Sequence, residues 1–230
     1  MSPDTLLGTI ALENVSVRID GRAVLSDVTV ELAARRTAVI GANGSGKSTF
    51  ARLLNGLVSP SSGTVLVHGL DAARERRELR RRVGFVFSNP EAQILMPTPA
   101  EDLALSLRGR GSAEIEHRVR GALEAHGLAE HADAPAFSLS GGQKQMLALA
   151  SVLITEPELI VADEPTTLLD LRNTRRIGDL LLSQSAQVVL VTHDLDLAAK
   201  CDAAVLFDEG RVVDVGEPAV IIETYRRVGG

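Results

Sequence analysis

Residues 41–48 read Gly41-Ala42-Asn43-Gly44-Ser45-Gly46-Lys47-Ser48, and they follow the apolar run Thr37–Ile40. This succession of a strand, a glycine-rich loop and a helix fits the pattern G-x-x-x-x-G-K-[ST] of a phosphate-binding loop. Glycines let the backbone turn its N–H groups inward, and the start of the following helix adds a positive partial charge. Glycine-rich turns that bind no ligand can share this spacing. Residues further along the chain are therefore needed to decide between a phosphate-binding loop and a simple turn.

In a phosphate-binding loop of this kind, Lys47 reaches the β- and γ-phosphates of a nucleotide, and the hydroxyl of Ser48 binds Mg²⁺. A nucleotide with a γ-phosphate and Mg²⁺ are therefore the predicted ligands. The other loop residues predicted to contact the nucleotide are Gly41, Asn43, Gly44, Ser45, Gly46 and Thr49.

An apolar run at Leu159–Pro165 ends in two carboxylates, Asp163 and Glu164, before the proline. In a phosphate-binding enzyme Asp163 would hold Mg²⁺, commonly through water, and Glu164 would polarise the attacking water. Two carboxylates after a strand also form ordinary solvated turns. Their position downstream of a phosphate loop favours the catalytic interpretation.

The sequence Leu139-Ser140-Gly141-Gly142-Gln143 precedes that acidic strand. Ser140 has the character of an N-cap, and apolar residues at 146, 149, 150 and 153 predict a helix over 141–154. The N-terminus of such a helix attracts anions. Taken alone, the segment indicates only a capped helix whose glycines allow close packing.

Together the loop at 41–48, the segment 139–143 and the acidic strand end resemble the ATPase of ABC transporters. The resemblance implies an α/β fold, with a P-loop NTPase core, an antiparallel β-layer and an inserted helical subdomain. It further implies a head-to-tail dimer that encloses two ATP molecules. In such a dimer, the residues that contact the γ-phosphate held by the second subunit would be Ser140, Gly141, Gly142 and Gln143.

Two shorter segments extend the resemblance. Val188–Asp194 is a buried-looking strand that ends at His193, where the family places a switch histidine that contacts the γ-phosphate; a histidine after a strand is otherwise usually a surface residue. Thr166–Asp170 resembles the D-loop, whose aspartate acts across the dimer interface, and this implies a nucleotide-site role for Asp170. The usual small residue and glycine before Leu-Asp are missing here.

The pattern of elements predicts one ABC ATPase domain over 1–230. Alternating segments near 8–19 and 24–32 predict the antiparallel layer, and a helix is predicted over Ser48–Leu57. Residues of about 1–89 and 156–230 would form the nucleotide-binding core. Residues of about 90–155, mainly helical, would form the subdomain that carries the segment 139–143. No C-terminal extension is expected.

Composition limits the function further. The 230 residues are 45% hydrophobic and 23% charged, and no apolar run approaches the roughly 20 residues that span a bilayer. Met1–Leu7 lacks the pattern of a signal peptide. The single Cys201 excludes an internal disulfide and fits a reducing cytosol. A net charge of -6 argues against nucleic acid as a partner. The basic block Arg74–Arg82 is predicted to be a solvated helix face, with a contact to anionic lipid or RNA as the alternative.

One stretch indicates the subgroup. Val83–Gln93 is similar to the V-G-x-V-F-Q-N-P-x-x-Q sequence of energy-coupling factor importers for vitamins and metal ions. The chain looks most like the ATPase of biotin importers and next like that of cobalt or nickel importers. The resemblance implies a second copy or a paralogous ATPase as one partner. Further partners would be a transmembrane coupling protein and a membrane-embedded substrate-binding protein, which place the chain peripherally on the cytoplasmic face of the membrane.

The chain departs from the family at two positions. Ser88 stands where the family has the Q-loop glutamine, and its shorter side chain predicts weaker hydrolysis or coupling with little effect on ATP binding. Ser88 is a further candidate Mg²⁺ ligand, through water, and Gln93 could replace the glutamine only if the loop bends. Ile19 stands where an aromatic residue commonly stacks on adenine, so base selectivity is expected to be loose.

Two other functions remain open at this point. A subunit that binds nucleotide without hydrolysis, paired with an active ATPase, is favoured by Ser88 and Ile19. It is opposed by the intact positions Lys47, Ser48, Ser140, Asp163, Glu164 and His193. A soluble ABC ATPase acting on ribosomes or DNA usually carries two ATPase units, a long coiled-coil insertion or a cysteine-rich cluster, and this sequence has none of these.

Overall fold

The computed structural model describes residues 8–167 and 169–228, so the prediction made for Met1–Leu7 lies outside the described residues, as does Leu168 of the D-loop segment. Ten strands within the described ranges form two sheets. They are β1 (Ile10–Ile19), β2 (Arg22–Leu32), β3 (Arg36–Gly41), β4 (Ser62–Val67), β5 (Leu70–Asp71), β6 (Val83–Val86), β7 (Leu159–Asp163), β8 (Gln187–Val191), β9 (Ala203–Asp208) and β10 (Arg211–Gly216).

The larger sheet has the strand order β10-β9-β3-β8-β7-β6, and every neighbouring pair except β10 and β9 is parallel. Its central strands are rich in Val, Leu, Ile and Ala because both faces are covered. Successive side chains alternate between the two faces, so that Ala38 and Ile40 lie in one hydrophobic core and Val39 in the other. The carboxyl ends of β3, β7 and β8 share one edge, which is where α/β proteins bind ligands.

The smaller sheet is antiparallel and has the order β2-β1-β4-β5. Helix α1 (Lys47–Leu53) packs between the two sheets, because Phe50 and Leu53 are fully buried in the core that contains Val39 and the inward side chains of β1 and β2. This arrangement confirms the predicted antiparallel layer over a parallel core. The two sheets thus contact α1, the helix that follows the phosphate loop, from opposite sides.

Helices fill the other face of the parallel sheet. Between β6 and β7 the chain forms α3 (Pro99–Ser106), α4 (Ser112–Ala125) and α5 (Gly141–Leu153), whose buried residues join the core of Ala38 and Ile40. The predicted helical insertion is therefore present. The remaining helices are α2 (Arg76–Arg82), α6 (Leu171–Leu182), α7 (Leu195–Ala198) and α8 (Pro218–Val228).

The structure corrects the predicted end of α1 and shows how the basic block folds. Helix α1 ends at Leu53 rather than Leu57, because Gly56 turns with φ of 68° and the Asn55 side chain accepts the N–H of Leu57 at 3.1 Å. The basic block forms α2, where Arg82 donates to Glu78 at 2.9 Å. Its cations therefore take part in contacts within the chain, as expected of a solvated helix face.

None of the helices in the ranges 8–167 and 169–228 has the length and apolar character needed to cross a bilayer.

Cys201 is a buried free thiol, and burial raises its pKa to about 12. The thiol is therefore protonated at neutral pH and chemically inert in the folded chain.

Candidate functional site

The loop at 41–48 joins the carboxyl end of β3 to α1 along a path that only glycine permits at two positions. Gly41 has φ of 147°, and a Cβ atom there would lie 2.1 Å from the carbonyl oxygen of Phe207. Gly46 has φ of 99°, and a Cβ atom there would lie 2.6 Å from the Leu25 side chain. Both glycines are thus required by backbone conformation and by close packing.

Lys47 extends into this loop. Its ammonium donates to the carbonyl oxygens of Gly41 at 2.7 Å and Ala42 at 2.8 Å, and the residue is only 6% exposed. Burial lowers the pKa of the Lys47 ammonium, while the neighbouring Glu164 and Asp163 carboxylates act in the opposite direction. An incoming phosphate would favour the charged ammonium, so anion binding and the charge of Lys47 support one another.

Ser48 and Asp163 meet although 115 positions separate them. The Ser48 hydroxyl donates to Asp163 Oδ1 at 2.8 Å, and Asp163 is only 3% exposed at the end of β7. Arg52, one helical turn after Ser48, has its Nη2 3.9 Å from Asp163 Oδ2. A hydroxyl and a carboxylate oxygen are the hard ligands that Mg²⁺ prefers beside phosphate oxygens. This pair fits the predicted magnesium site.

Glu164 and His193 form a second pair at the same sheet edge. Glu164 has φ of 53°, and its backbone N–H donates to the carbonyl of Val191, which ties the carboxylate to the end of β8. His193 Nδ1 lies 2.7 Å from Glu164 Oε2, and Thr167 Oγ1 lies 3.4 Å from the same oxygen. Because an ionised carboxylate only accepts, this contact assigns the proton to Nδ1 of the ring.

Ser48, Asp163, Glu164 and His193 line one continuous cavity of about 550 Å³, which we call the phosphate cavity. A neighbouring cavity of about 210 Å³ follows the loop itself, and it adds Lys47, Gly44, Gly46 and Thr49 together with Val24. The structure therefore brings the loop, both carboxylates and the histidine together. The lining of the phosphate cavity is Gly41, Ala42, Asn43, Ser48, Arg52, Ser88, Asp163, Glu164, Thr167, His193 and Tyr225.

Ser88 lies in the phosphate cavity, at the position where the family has its glutamine. Gln93 does not replace it. Its Oε1 accepts the N–H of Phe87 at 3.1 Å, and its Nε2 donates to the carbonyl of Ala148 at 2.7 Å. The side chain is used to fasten the loop after β6 to helix α5, so it is not available to a nucleotide in this conformation.

The segment 139–143, which we call the signature segment after its counterpart in the family, is held by a complete capping box. Ser140 Oγ accepts the N–H of Gln143 at 3.4 Å, and Gln143 Oε1 accepts the N–H of Ser140 at 2.8 Å. Gln143 Nε2 also lies 2.8 Å from His131 Nε2. Gly141 lines a third cavity with Ser88, and none of residues 140–143 lines the phosphate cavity. Within the described chain, the signature segment therefore borders the cavity next to the phosphate cavity but does not line the phosphate cavity itself.

Asp170 is connected to the signature helix through a residue that sequence reasoning missed. Asp170 caps α6 by accepting the N–H of Asn173 at 2.7 Å, and the Asn173 amide donates to Asp170 at 3.1 Å. A Cβ atom on Gly142 would lie 2.6 Å from that same amide. Asn173 therefore packs directly against the signature glycine and fixes the distance between the two segments.

The region where the nucleotide base is expected to bind, which we call the base side, differs from the phosphate cavity because its side chains are aliphatic. Ile19 lies at the end of β1, pairs with Arg22 across the β1–β2 turn and is 44% exposed. Val24 on the same hairpin borders the loop cavity. The hairpin thus presents aliphatic side chains beside the phosphate loop.

Sequence reasoning also missed Arg52, Thr167 and Tyr225 in the phosphate cavity. Arg52 follows Ser48 by four positions, so helical periodicity alone places both on one face of α1. Thr167 follows Glu164 by three positions in a turn. Tyr225 has no such signal, because its position depends on where α8 packs on the sheet.

Comparison with known proteins assigns the class. Residues 25–167, more than half of the chain, match the family model described as ABC transporter. The chain therefore belongs to the ABC transporter family, as an ATP-binding subunit and ATP hydrolase.

Individual relatives narrow this class. The biotin transport ATP-binding protein BioM of Rhizobium etli is 41% identical over 221 residues, which cover 95% of this chain and 98% of that protein. Other matching relatives are named energy-coupling factor transporter ATP-binding proteins. The predicted likeness to the ATPases of these importers is confirmed.

Two solved structures share the fold. CbiO1 of Clostridium perfringens, part of the ABC transporter complex cbiONQ, has a TM-score of 0.82 at 32% identity, covering 96% of this chain and 94% of that one. The ATP-binding cassette MJ0796, solved as a dimer in a post-hydrolysis state with ADP and Pi, has a TM-score of 0.79 at 28% identity, covering 91% and 98%. The predicted ABC ATPase fold is thereby confirmed.

Proposed function

We propose that the chain binds and hydrolyses ATP as a head-to-tail dimer and thereby powers uptake of a small solute through a membrane-embedded partner. The observation that carries this proposal is the pairing of Ser48 with Asp163 and of Glu164 with His193 at one sheet edge, at 2.8 and 2.7 Å. These are the groups that phosphoryl transfer to water requires, and the fold holds them in one cavity.

The geometry supports a division of labour for hydrolysis. Lys47 and the inward N–H groups of its loop bind the β- and γ-phosphates, with Gly41, Asn43, Gly44, Ser45, Gly46 and Thr49 completing the contact. Ser48 and Asp163 would hold Mg²⁺, which would neutralise phosphate charge when bound. Ser88 would help to hold that ion only through water.

Glu164 accepts the proton of the attacking water, since it is the carboxylate at the cavity that is not paired with Ser48. His193 holds Glu164 by donating its Nδ1 proton. When His193 is protonated, Nε2 also carries a proton and can donate it in a hydrogen bond to the γ-phosphate.

The position of the signature segment supports the proposed dimer. The residues Ser140, Gly141, Gly142 and Gln143 lie outside the phosphate cavity of their own chain, and in the proposed dimer a second subunit would supply them to complete the site. Asp170 would act at the same interface. The partner ATPase is a second copy of this chain or a paralogue.

A groove on the helical insertion suits a membrane partner. A cavity of about 510 Å³ is lined by Leu95, Phe137, Glu91 and Lys144, and Leu95 and Phe137 are 72% and 81% exposed. Exposed apolar side chains beside an ion pair favour docking of a helix. Residues of about 90–155 would then move as a subdomain against the core, and the chain would lie peripherally on the cytoplasmic face of the membrane.

Biotin is the favoured solute, because the Rhizobium etli relative is a biotin transport protein and matches nearly end to end. A transition-metal ion is the alternative, because the vitamin and metal importers share the sequence pattern at Val83–Gln93. A degenerate subunit paired with an active ATPase remains the competing function, and Ser88 and Ile19 are the positions that favour it.

The test starts from a tagged chain extracted gently from native membranes. We expect two integral membrane proteins to co-purify, and ATP-dependent uptake of labelled biotin when the complex is placed in vesicles. Uptake of Co²⁺ or Ni²⁺ instead would change the solute. Recovery of ribosomal or DNA-bound partners would overturn transport, and an ATPase rate of zero in the complete complex would favour the degenerate subunit.

A further inference from the structure

Helix α8 brings the phenol of Tyr225 to the phosphate cavity. Tyr225 lines this cavity together with Ser48, Asp163, Glu164 and His193, although it lies over thirty residues beyond the histidine. The helix is anchored by Ile221 and Ile222, which are 1% and 6% exposed within the core of the parallel sheet. Its placement is therefore set by packing of the whole helix.

Tyr225 borders both the hydrophobic core and the phosphate cavity. The ring packs at the margin of the core that includes Ile221, and the residue as a whole is half-buried. The same residue borders the polar cavity that contains both carboxylates. A tyrosine with an apolar body and one wet end commonly uses its hydroxyl for a specific hydrogen bond.

The neutral side chains around Ser88 are short or already bonded. Ser88 itself is short, and Gln93 is bonded to Phe87 and Ala148. Gln145, which lines the neighbouring cavity with Ser88, has its Nε2 3.4 Å from the carbonyl of Phe87. Donors aimed at oxygens on which charge develops stabilise the transition state of phosphoryl transfer.

We propose that Tyr225 is a further catalytic residue of this ATPase, whose phenolic hydroxyl donates a hydrogen bond to a γ-phosphate oxygen of bound ATP. The inference rests on the proposed function, because it requires ATP in this cavity. No bond is made or broken at the phenol. Its contribution is to hold the terminal phosphate and to stabilise the charge that develops on it.

The first test is the substitution Tyr225→Phe in the complex purified from membranes, which removes the hydroxyl and keeps the ring. We expect kcat for ATP hydrolysis to fall about tenfold or more, with KM and Tm nearly unchanged. The exchange Thr224→Val, which removes a hydroxyl from the same helix at a residue that does not line the phosphate cavity, is the matched control. A kcat of Tyr225→Phe within twofold of the unaltered complex would overturn the proposal.

The second test does not depend on turnover. Tyr225 is the only tyrosine among the 230 residues, so tyrosine labelled with ¹³C in the ring gives a single set of NMR signals. We expect these signals to shift when the purified chain is saturated with Mg²⁺ and adenosine 5′-O-(3-thiotriphosphate), but not with Mg²⁺ and ADP. Identical signals with both nucleotides would refute a contact with the γ-phosphate.

The two tests separate this inference from the function on which it rests. A chain that binds neither nucleotide in calorimetry contradicts the proposed ATPase itself. A chain that binds both, with silent Tyr225 signals, contradicts only the role of the phenol. A signal that shifts because the dimer closes, without contact, would leave the kcat of Tyr225→Phe unchanged and would likewise overturn the inference.

Discussion

The phosphate half of the site and its signature half are held in different ways. In the phosphate half, contacts join residues that are 115 positions apart for Ser48 and Asp163 and 29 apart for Glu164 and His193. In the signature half, the contacts of Ser140 with Gln143 and of Asp170 with Asn173 span only three positions. The phosphate half is thus assembled by the whole fold, while the signature half is built by local helix caps.

This difference suits a site that opens and closes. Groups that perform chemistry need fixed mutual distances, and the edge of the parallel sheet supplies them. Groups that only approach an ATP molecule held by another subunit can stand on a capped helix end and move with it. Substitutions in the two halves should therefore affect different quantities.

The largest expected effect is that of Glu164→Gln in the phosphate half. The amide has the size of the carboxylate but cannot accept the proton of water, so kcat should fall about 100-fold or more. Steady-state ATPase assays measure this loss, and calorimetry should show nearly unchanged ATP binding. Glu124→Gln, on the exposed face of α4, is the matched control. An unchanged kcat would remove Glu164 from the mechanism.

In the signature half, Gly142→Ala should act on stability through Asn173. The added methyl group would lie 2.6 Å from the Asn173 amide, which would have to move away from Asp170, so we expect a loss of about 1 kcal/mol and a Tm lower by a few degrees. Gly141→Ala is the control, because a Cβ atom there has no neighbour within 4 Å. Thermal unfolding of both variants measures the difference.

The contact itself can be checked by a double-mutant cycle. If Asn173 causes the clash, Gly142→Ala should cost much less in an Asn173→Ala background than in the unaltered chain. Equal Tm values for the two glycine variants would contradict the contact, and would leave the two segments independent of one another.

How much of each half could be predicted from the sequence depends on whether its contacts are local or join distant parts of the chain. Loop, cap and strand-end residues were predictable because phosphate loops, capping boxes and parallel strand ends have local signals, as at Gly46, Ser140 and Asp163. Helix α6 could have been found from Asp170 as N-cap, and α8 from Pro218 at its start. The contacts of Asn173 with Gly142 and the position of Tyr225 were not predictable, because they depend on how distant helices pack.

A smaller effect is expected from Ser88→Gln, again in the phosphate half. The longer amide would restore a neutral group to the cavity, so partner-stimulated kcat should rise on the order of tenfold with ATP affinity unchanged. ATPase assays of the complete complex measure the rate, and calorimetry supplies the control. An unchanged rate would mean that Ser88 does not slow hydrolysis, and that hydrolysis in this chain does not require a glutamine at position 88.

The smallest effect is expected at the base side, which belongs to neither half. Ile19→Tyr places an aromatic ring on the exposed end of β1, and stacking on adenine should lower the Kd for ATP by about fivefold, or roughly 1 kcal/mol. Ile19→Leu, which adds no ring, should leave the Kd unchanged. Calorimetry with ATP and with GTP measures both affinity and selectivity. A strong preference of the unaltered chain for ATP over GTP would contradict the expected loose selectivity. It would mean that polar contacts outside the β1–β2 hairpin recognise the base.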